Sequence, residues 1–178
     1  ATTQVHPEVA EIMDYCLTEC FGNPSTIYSF GKKAKRLMDE SREKIAKMIN
    51  AASDEIVFTS GGTEADNLAI FGIAKANRDK GKHIITSKIE HHAIINSCKA
   101  LEKDGSEITY LDVDKYGIVN LEQLERSIKR ETILISIMHA NNEIGTIEPI
   151  AEIGRIARKH KIYFHSDTVQ AVGKIRVD

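Results

Sequence analysis

The sequence predicts an α/β protein with a largely parallel sheet flanked by helices. Two observations predict it. Short apolar runs such as "HIITS" (83–87), "TILISIM" (132–138) and "KIYFHS" (161–166) alternate with segments of helical periodicity. The runs are close to continuously apolar, which suits strands covered on both faces. A chain of 178 residues, 42% hydrophobic and 28% charged, is long enough and mixed enough to bury a core.

Each element follows from local pattern. Residues 7–19 form a helix with Pro7 in its first turn, and "GNPS" (22–25) ends it. Residues 29–49 are amphipathic, with Ala34, Leu37, Met38, Ile45 and Met48 at helical spacing. Five strands are then expected: 55–60, 83–87, 107–113, 132–138 and 161–166. Helices over 63–77, 92–103, 120–129 and 150–160 separate them. The boundaries suggest an N-terminal helical segment (1–50) and an α/β portion (51–178).

Composition excludes several function classes. The net charge is −2 with Lys and Arg dispersed, which argues against nucleic acid or anionic membrane as partner. No apolar run reaches the ~20 residues of a membrane helix, and no signal peptide is visible. Three cysteines (Cys16, Cys20, Cys98) without framework spacing suggest reduced thiols and a cytoplasmic setting. Cys16 and Cys20 are expected to be buried packing residues. The start at "ATTQVHPE" and the stop at "GKIRVD", which reads as the opening of another element, suggest part of a longer protein.

Ligands of parallel α/β sheets bind beyond the carboxyl ends of the strands, so the residues there are the candidates. "SGGTEADN" (60–67) offers glycine amides and a helix N-terminus, a phosphate cradle at Gly62 and Thr63. The competing reading is a capping box from Thr63 to Asp66. "KIEHHA" (88–93) presents His91, able to stack on a ring or move a proton. Metal ligation by Glu90, His91 and His92 is disfavoured, because adjacent side chains diverge. "HANNEIG" (139–145) carries Asn141 and Asn142, either turn-formers or an amide at the crevice. In "HSDTVQ" (165–170), Asp167 is either a helix N-cap or the partner of a protonated ring nitrogen, with Gln170 donating to the same ring. A phosphate cradle, an imidazole, an amide and a carboxylate together describe pyridoxal 5′-phosphate.

The segments "FGNPSTIYSFG", "EIVFTSGGTEADNLAI", "GKHIITSKIEHHAI", "SIMHANNEIGTIEPI" and "FHSDTVQAVGKI" stand in the order found in cysteine desulfurases of the NifS/IscS type. The sequence resembles that family, a class V branch of fold-type I pyridoxal-phosphate enzymes, over nearly its whole length. The resemblance implies most of a large cofactor-binding domain, truncated, with the small domain absent. It implies that Gly62 and Thr63 hold the cofactor phosphate, and that His91 stacks on the ring and assists proton transfer. It further implies Asn142 beside the ring hydroxyl and substrate, Asp167 on the pyridinium nitrogen, and Gln170 on the phenolic oxygen. L-cysteine as substrate, a sulfur-acceptor scaffold protein for iron-sulfur or thio-cofactor assembly, and a homodimer are implied as well.

The family's Schiff-base lysine, nucleophilic cysteine and substrate-gripping arginine lie downstream of Asp178, so this chain alone is expected to be inactive. Lys174 stands too close to Asp167 to be that lysine. Tyr28 occupies a place where the family more commonly has histidine, and Thr168 replaces alanine. Other class V enzymes (a selenocysteine lyase or an aminotransferase), an inactive scaffold and a metal hydrolase are the alternatives.

Overall fold

A computed structural model of the chain describes residues 3–177. Ala1, Thr2 and Asp178 lie outside the described residues. The chain divides into two compact units. One comprises the residues up to Phe58 with Val177, the other Thr59–Arg176.

The first unit is built on helices α1 (Pro7–Thr18) and α2 (Ser29–Met48). Pro7 opens α1, where its missing N–H costs nothing. No residue of α1 is buried. Cys20, beyond the end of α1, is buried as expected, but Cys16, on α1 itself, is only half-buried. Along α2, Lys35 and Asp39 pair at 3.2 Å across one turn.

Residues 55–60 are not the strand that the sequence predicts. Ser53–Glu55 is a 3₁₀ turn, and Ile56 leaves it extended (φ −91°, ψ 127°) without a ladder partner. A strand exists through pairing, and none of the described strands pairs here. Arg42 of α2 holds the segment instead: its guanidinium donates to the Ile56 carbonyl and lies 4.6 Å from the Phe58 ring centre.

The second unit is a four-stranded parallel sheet in the order β2-β1-β3-β4, where β1 is His83–Ser87, β2 Glu107–Leu111, β3 Thr132–Ser136 and β4 Tyr163–His165. Helices α3 (Gly62–Ala76), α4 (His92–Lys103), α5 (Leu121–Ser127) and α6 (Ile150–His160) precede or connect the strands. All five residues of β1 and of β3 are buried, so they form the centre; β2 and β4 are partly exposed edges. Alternation along the strands gives two cores. Ile84 and Leu134 pack with Ile70, Ile94 and Leu101 of α3 and α4. Ile85 and Ile135 pack with Leu124, Ile153 and Ala157 of α5 and α6.

A buried histidine ties three strands together. The ring nitrogens of His83 lie 2.7 Å from Thr132 Oγ1 of β3 and 2.8 Å from Thr109 Oγ1 of β2. Beyond β4 the chain forms a turn through Lys174 and no further element through Val177.

The strand order places the functional region. The chain moves from β1 outward to β2, then returns to the other side of β1 for β3 and β4. The two loops leaving β1 and β3 thus run in opposite directions, opening a crevice at their carboxyl ends. Residues 88–92 follow β1 and residues 137–144 follow β3.

Candidate cofactor site

The glycine turn before α3 forms one end of the region. The helix begins at Gly62 with Gly61 as its N-cap, not at Thr63. The capping partner is Glu64, not Asp66: Ser60 donates to Glu64 Oε2 from its backbone N at 2.6 Å and from its hydroxyl at 2.5 Å. These bonds hold the Glu64 carboxyl below its usual range. With Glu64 folded back onto Ser60, the first-turn amides at Gly62 and Thr63 have no intrahelical acceptor, the arrangement that binds a phosphate. Gly62 also lies against the turn after β4, where a Cβ would stand 2.8 Å from Val169 Cγ2. Gly62 and Thr63 are thereby close to the segment that bears Asp167 and Gln170.

Asp167 is 8% exposed. Its Oδ1 accepts from Val169 N at 3.0 Å, and a turn rather than a helix follows, so it caps no helix. Its carbonyl accepts from His139 N at 2.9 Å, fixing it beside the extension of β3. Two further buried acids crowd it. Asp66 is 4% exposed and its charged neighbours are Asp167 and His165, whose Nε2 lies 3.6 Å from Asp66 Oδ1. Burial, then the Asp167 charge, pushes the Asp66 carboxyl up to about 7. Glu90 accepts on Oε1 from Ser87 Oγ at 2.7 Å and from Met138 N at 3.0 Å, while its Oε2 is buried without a partner. Burial above all, with smaller contributions from Asp167 and Glu148, pushes Glu90 up to about 8. Burial keeps the His165 imidazole below its usual range despite the nearby Asp167 charge, so it supplies no cation.

Gln170 is half-buried, and its side-chain carbonyl accepts from Lys174 Nζ. That bond employs the oxygen and leaves the amide N–H groups as the donating side.

The loops after β1 and β3 meet around a cavity of about 330 Å³ lined in part by His91, His92, Asn141 and Asn142. The two asparagines have different tasks. Asn141 is buried; its amide donates to the Ile89 carbonyl at 2.8 Å, and its Oδ1 accepts from Glu143 N and Ile144 N. Asn142 is exposed on the cavity. His91 is the N-cap of α4, with Nδ1 accepting from Ala93 N at 3.2 Å. An Nδ1 that accepts leaves Nε2 as the nitrogen available for proton exchange. Among the described residues, no group of three or more His, Cys, Asp or Glu side chains is arranged to hold a metal.

Sequence reasoning overlooked Asp66, Glu90 and His165 as one buried cluster. Asp66 left a signal: it precedes buried Ile70 by one helical turn, so it stands on the apolar stripe of α3. Glu90 and His165 left none, because loop and strand packing brings them in.

Pyridoxal 5′-phosphate fits these residues. Its phosphate suits the first-turn amides at Gly62 and Thr63, and a protonated ring nitrogen suits the acidic surroundings made by buried Asp167, Asp66 and Glu90.

Comparison with known proteins agrees. The aminotransferase class-V family matches residues 1–178. A cysteine desulfurase IscS from Methanosarcina thermophila is 59% identical over 178 residues, covering 100% of this chain and 44% of that protein. A solved NifS-like protein superposes with a TM-score of 0.96 at 38% identity, over 99% of this chain and 49% of that one. SspA in complex with cysteine superposes with a TM-score of 0.96 at 40% identity, over 99% of this chain and 51% of that one. The chain thus spans about half the length of the relatives it matches. Matched from its first residue to its last, with the glycine turn, the crevice and the buried aspartate on one parallel sheet, the chain belongs to the aminotransferase class-V family, whose cofactor is pyridoxal 5′-phosphate.

Proposed function

We propose that this chain is the cofactor-binding portion of a cysteine desulfurase, which converts L-cysteine to L-alanine and passes the sulfur on as a persulfide to an acceptor protein. The observation that supports this most is Asp167, a buried acid at the strand carboxyl ends whose side chain accepts from Val169 N and which lies among the further buried acids Asp66 and Glu90. Relatives that are cysteine desulfurases, and a neighbour solved with cysteine, support the reaction and the substrate. When bound, the cofactor supplies a protonated heteroaromatic ring that takes up electrons from the reacting carbon.

The residues of this chain serve that ring. Asp167 keeps the ring nitrogen protonated. Gly62 and Thr63 hold the phosphate by backbone amides, with the Thr63 hydroxyl as a further donor. His91 covers the ring and exchanges a proton through Nε2. Asn142 faces the substrate side, and Gln170 donates its amide to the phenolic oxygen. The complete protein acts as a cytoplasmic homodimer, and its sulfur goes to iron-sulfur cluster or thio-cofactor assembly through a scaffold protein.

The test uses a protein of full family length that carries this segment. Purified with cofactor, it is expected to release alanine and sulfur from L-cysteine in equal amounts, sedimenting as a dimer. Asp167→Asn keeps the shape and removes the charge, and is expected to lower turnover roughly hundredfold at saturating cofactor, the size of one lost electrostatic transition-state interaction. Turnover equal to the parent's would remove Asp167 from the ring nitrogen.

A further inference from the structure

We propose that Asp66 is a second carboxylate of the ring-cation site: buried against His165, which stands two residues before Asp167, it adds its negative charge to the field that Asp167 presents and sharpens the preference for a ring bearing an N–H cation. The inference rests on the reading of Asp167 as the ring-nitrogen partner.

Three observations lead to it. First, Asp66 is a buried acid whose Oδ1 lies 3.6 Å from Nε2 of His165. An acid so placed is unfavourable unless its charge is used. Second, His165 is held on its other side, with Nδ1 2.9 Å from Ser136 Oγ, so the imidazole that faces Asp66 is fixed in place. The hydroxyl of Ser166, between His165 and Asp167 in the chain, is buried without a partner, leaving the polar side of this cluster incompletely satisfied by protein groups. Third, Asp66 stands on the helix whose first turn is the phosphate cradle. Four residues of α-helix separate it from Gly62, about 6 Å along the axis. One helix therefore offers partial positive charge at its start and a carboxylate one turn later, which complements a ligand with an anionic end and a cationic ring.

Asp167 from the turn after β4 and His165 from β4 are titratable groups that face Asp66. Neither is a cation at neutral pH, since burial holds His165 neutral. Asp66 therefore takes a proton readily while the site lacks a cation and gives it up when one arrives.

The experiment compares two probes in the full-length protein: pyridoxal 5′-phosphate and its carbocyclic analogue, in which a C–H replaces the ring nitrogen. Dissociation constants come from absorbance titration, so the readout is binding and not turnover. The parent should prefer the nitrogen ring, and Asp167→Asn should lose that preference. Asp66→Asn should lower it by roughly tenfold, the equivalent of one pKa unit of charge interaction, while binding the carbocyclic analogue as the parent does. The part of the preference due to Asp66 should grow between about pH 6 and 8, as its carboxyl ionises. Should Asp66→Asn not fold, Asp66→Ser, smaller and equally uncharged, is read in the same way. A parental preference in the Asp66 variant, with the Asp167 variant having lost its own, overturns the inference and leaves the function standing. Equal weakening toward both probes makes Asp66 merely structural and also overturns it. An unchanged preference in both variants overturns the inference and the assignment of Asp167 together.

Discussion

The side-chain amide of Asn141 donates to the main-chain carbonyl of Ile89 at 2.8 Å, joining the loop after β3 to the loop after β1 across the crevice. The same side chain accepts from Glu143 N and Ile144 N, so one buried residue sets the path of the loop that presents Asn142. Asn141→Ala should cost about 1–3 kcal/mol, since it removes three hydrogen bonds of a buried side chain to part-buried backbone groups. Asn142→Ala should leave stability within about 0.5 kcal/mol and weaken ligand binding instead. Urea denaturation of the two variants separates these roles; equal destabilisation would contradict the division of labour.

Glu90 should make the protein sensitive to alkali. Its folded value, about 8, is raised above the ordinary 4.5. Its contribution to stability is therefore fully present below about 4.5 and is lost as pH rises through about 8. Glu90→Gln keeps an acceptor for Ser87 and Met138 but never ionises. Relative to the parent, this variant should gain stability steadily as pH increases, with the largest difference above pH ~8. Chemical denaturation of both proteins between pH 4.5 and about 8 gives the comparison, and a difference that does not change with pH over that window would count against a buried neutral Glu90.

His83 should act in the opposite direction. Burial lowers its pKa from the ordinary 6.5, with a further lowering from Lys129 that Glu107 and Glu131 oppose. Its contribution is present above about 6.5 and is lost as pH falls through the depressed folded value. A protonated ring has two donors and no acceptor, so it can accept a proton from neither the Thr132 nor the Thr109 hydroxyl. His83→Gln should lose stability at neutral pH, by about 1 kcal/mol for each hydrogen bond not replaced. It should lose less than the parent on acidification. The stability difference between parent and variant, followed from pH ~7.5 to ~5, should therefore shrink.

The 178-residue chain by itself should release no sulfide from L-cysteine, even with cofactor added. Sulfur transfer needs an accessible thiolate. Cys98 is fully buried and its thiol is pushed up to about 12, chiefly by burial, while Cys20 is buried and Cys16 half-buried. Methylene-blue detection of sulfide, with trace full-length enzyme removed, provides the measurement. Sustained release would mean that one of these thiols serves as the acceptor.

The sequence by itself determined the alternation of strands and helices and the chemistry at the strand ends. Both are local properties: hydrophobic period sets the element, and a Gly-Gly turn, a histidine before a helix or an aspartate after a strand is visible without knowing what lies opposite. Helices 92–103 and 150–160 and strand 83–87 are legible to the residue for this reason. The tertiary structure decided what depends on partners distant in sequence. Residues 56–58 have the composition of a strand, yet Arg42 holds them where no ladder reaches, because pairing is not encoded in one segment. The order β2-β1-β3-β4 opens the crevice between loops some fifty residues apart in sequence. It also converts Asp66, which the sequence offers as a capping residue, into a buried acid beside Asp167, because a charge is desolvated only by what packs around it.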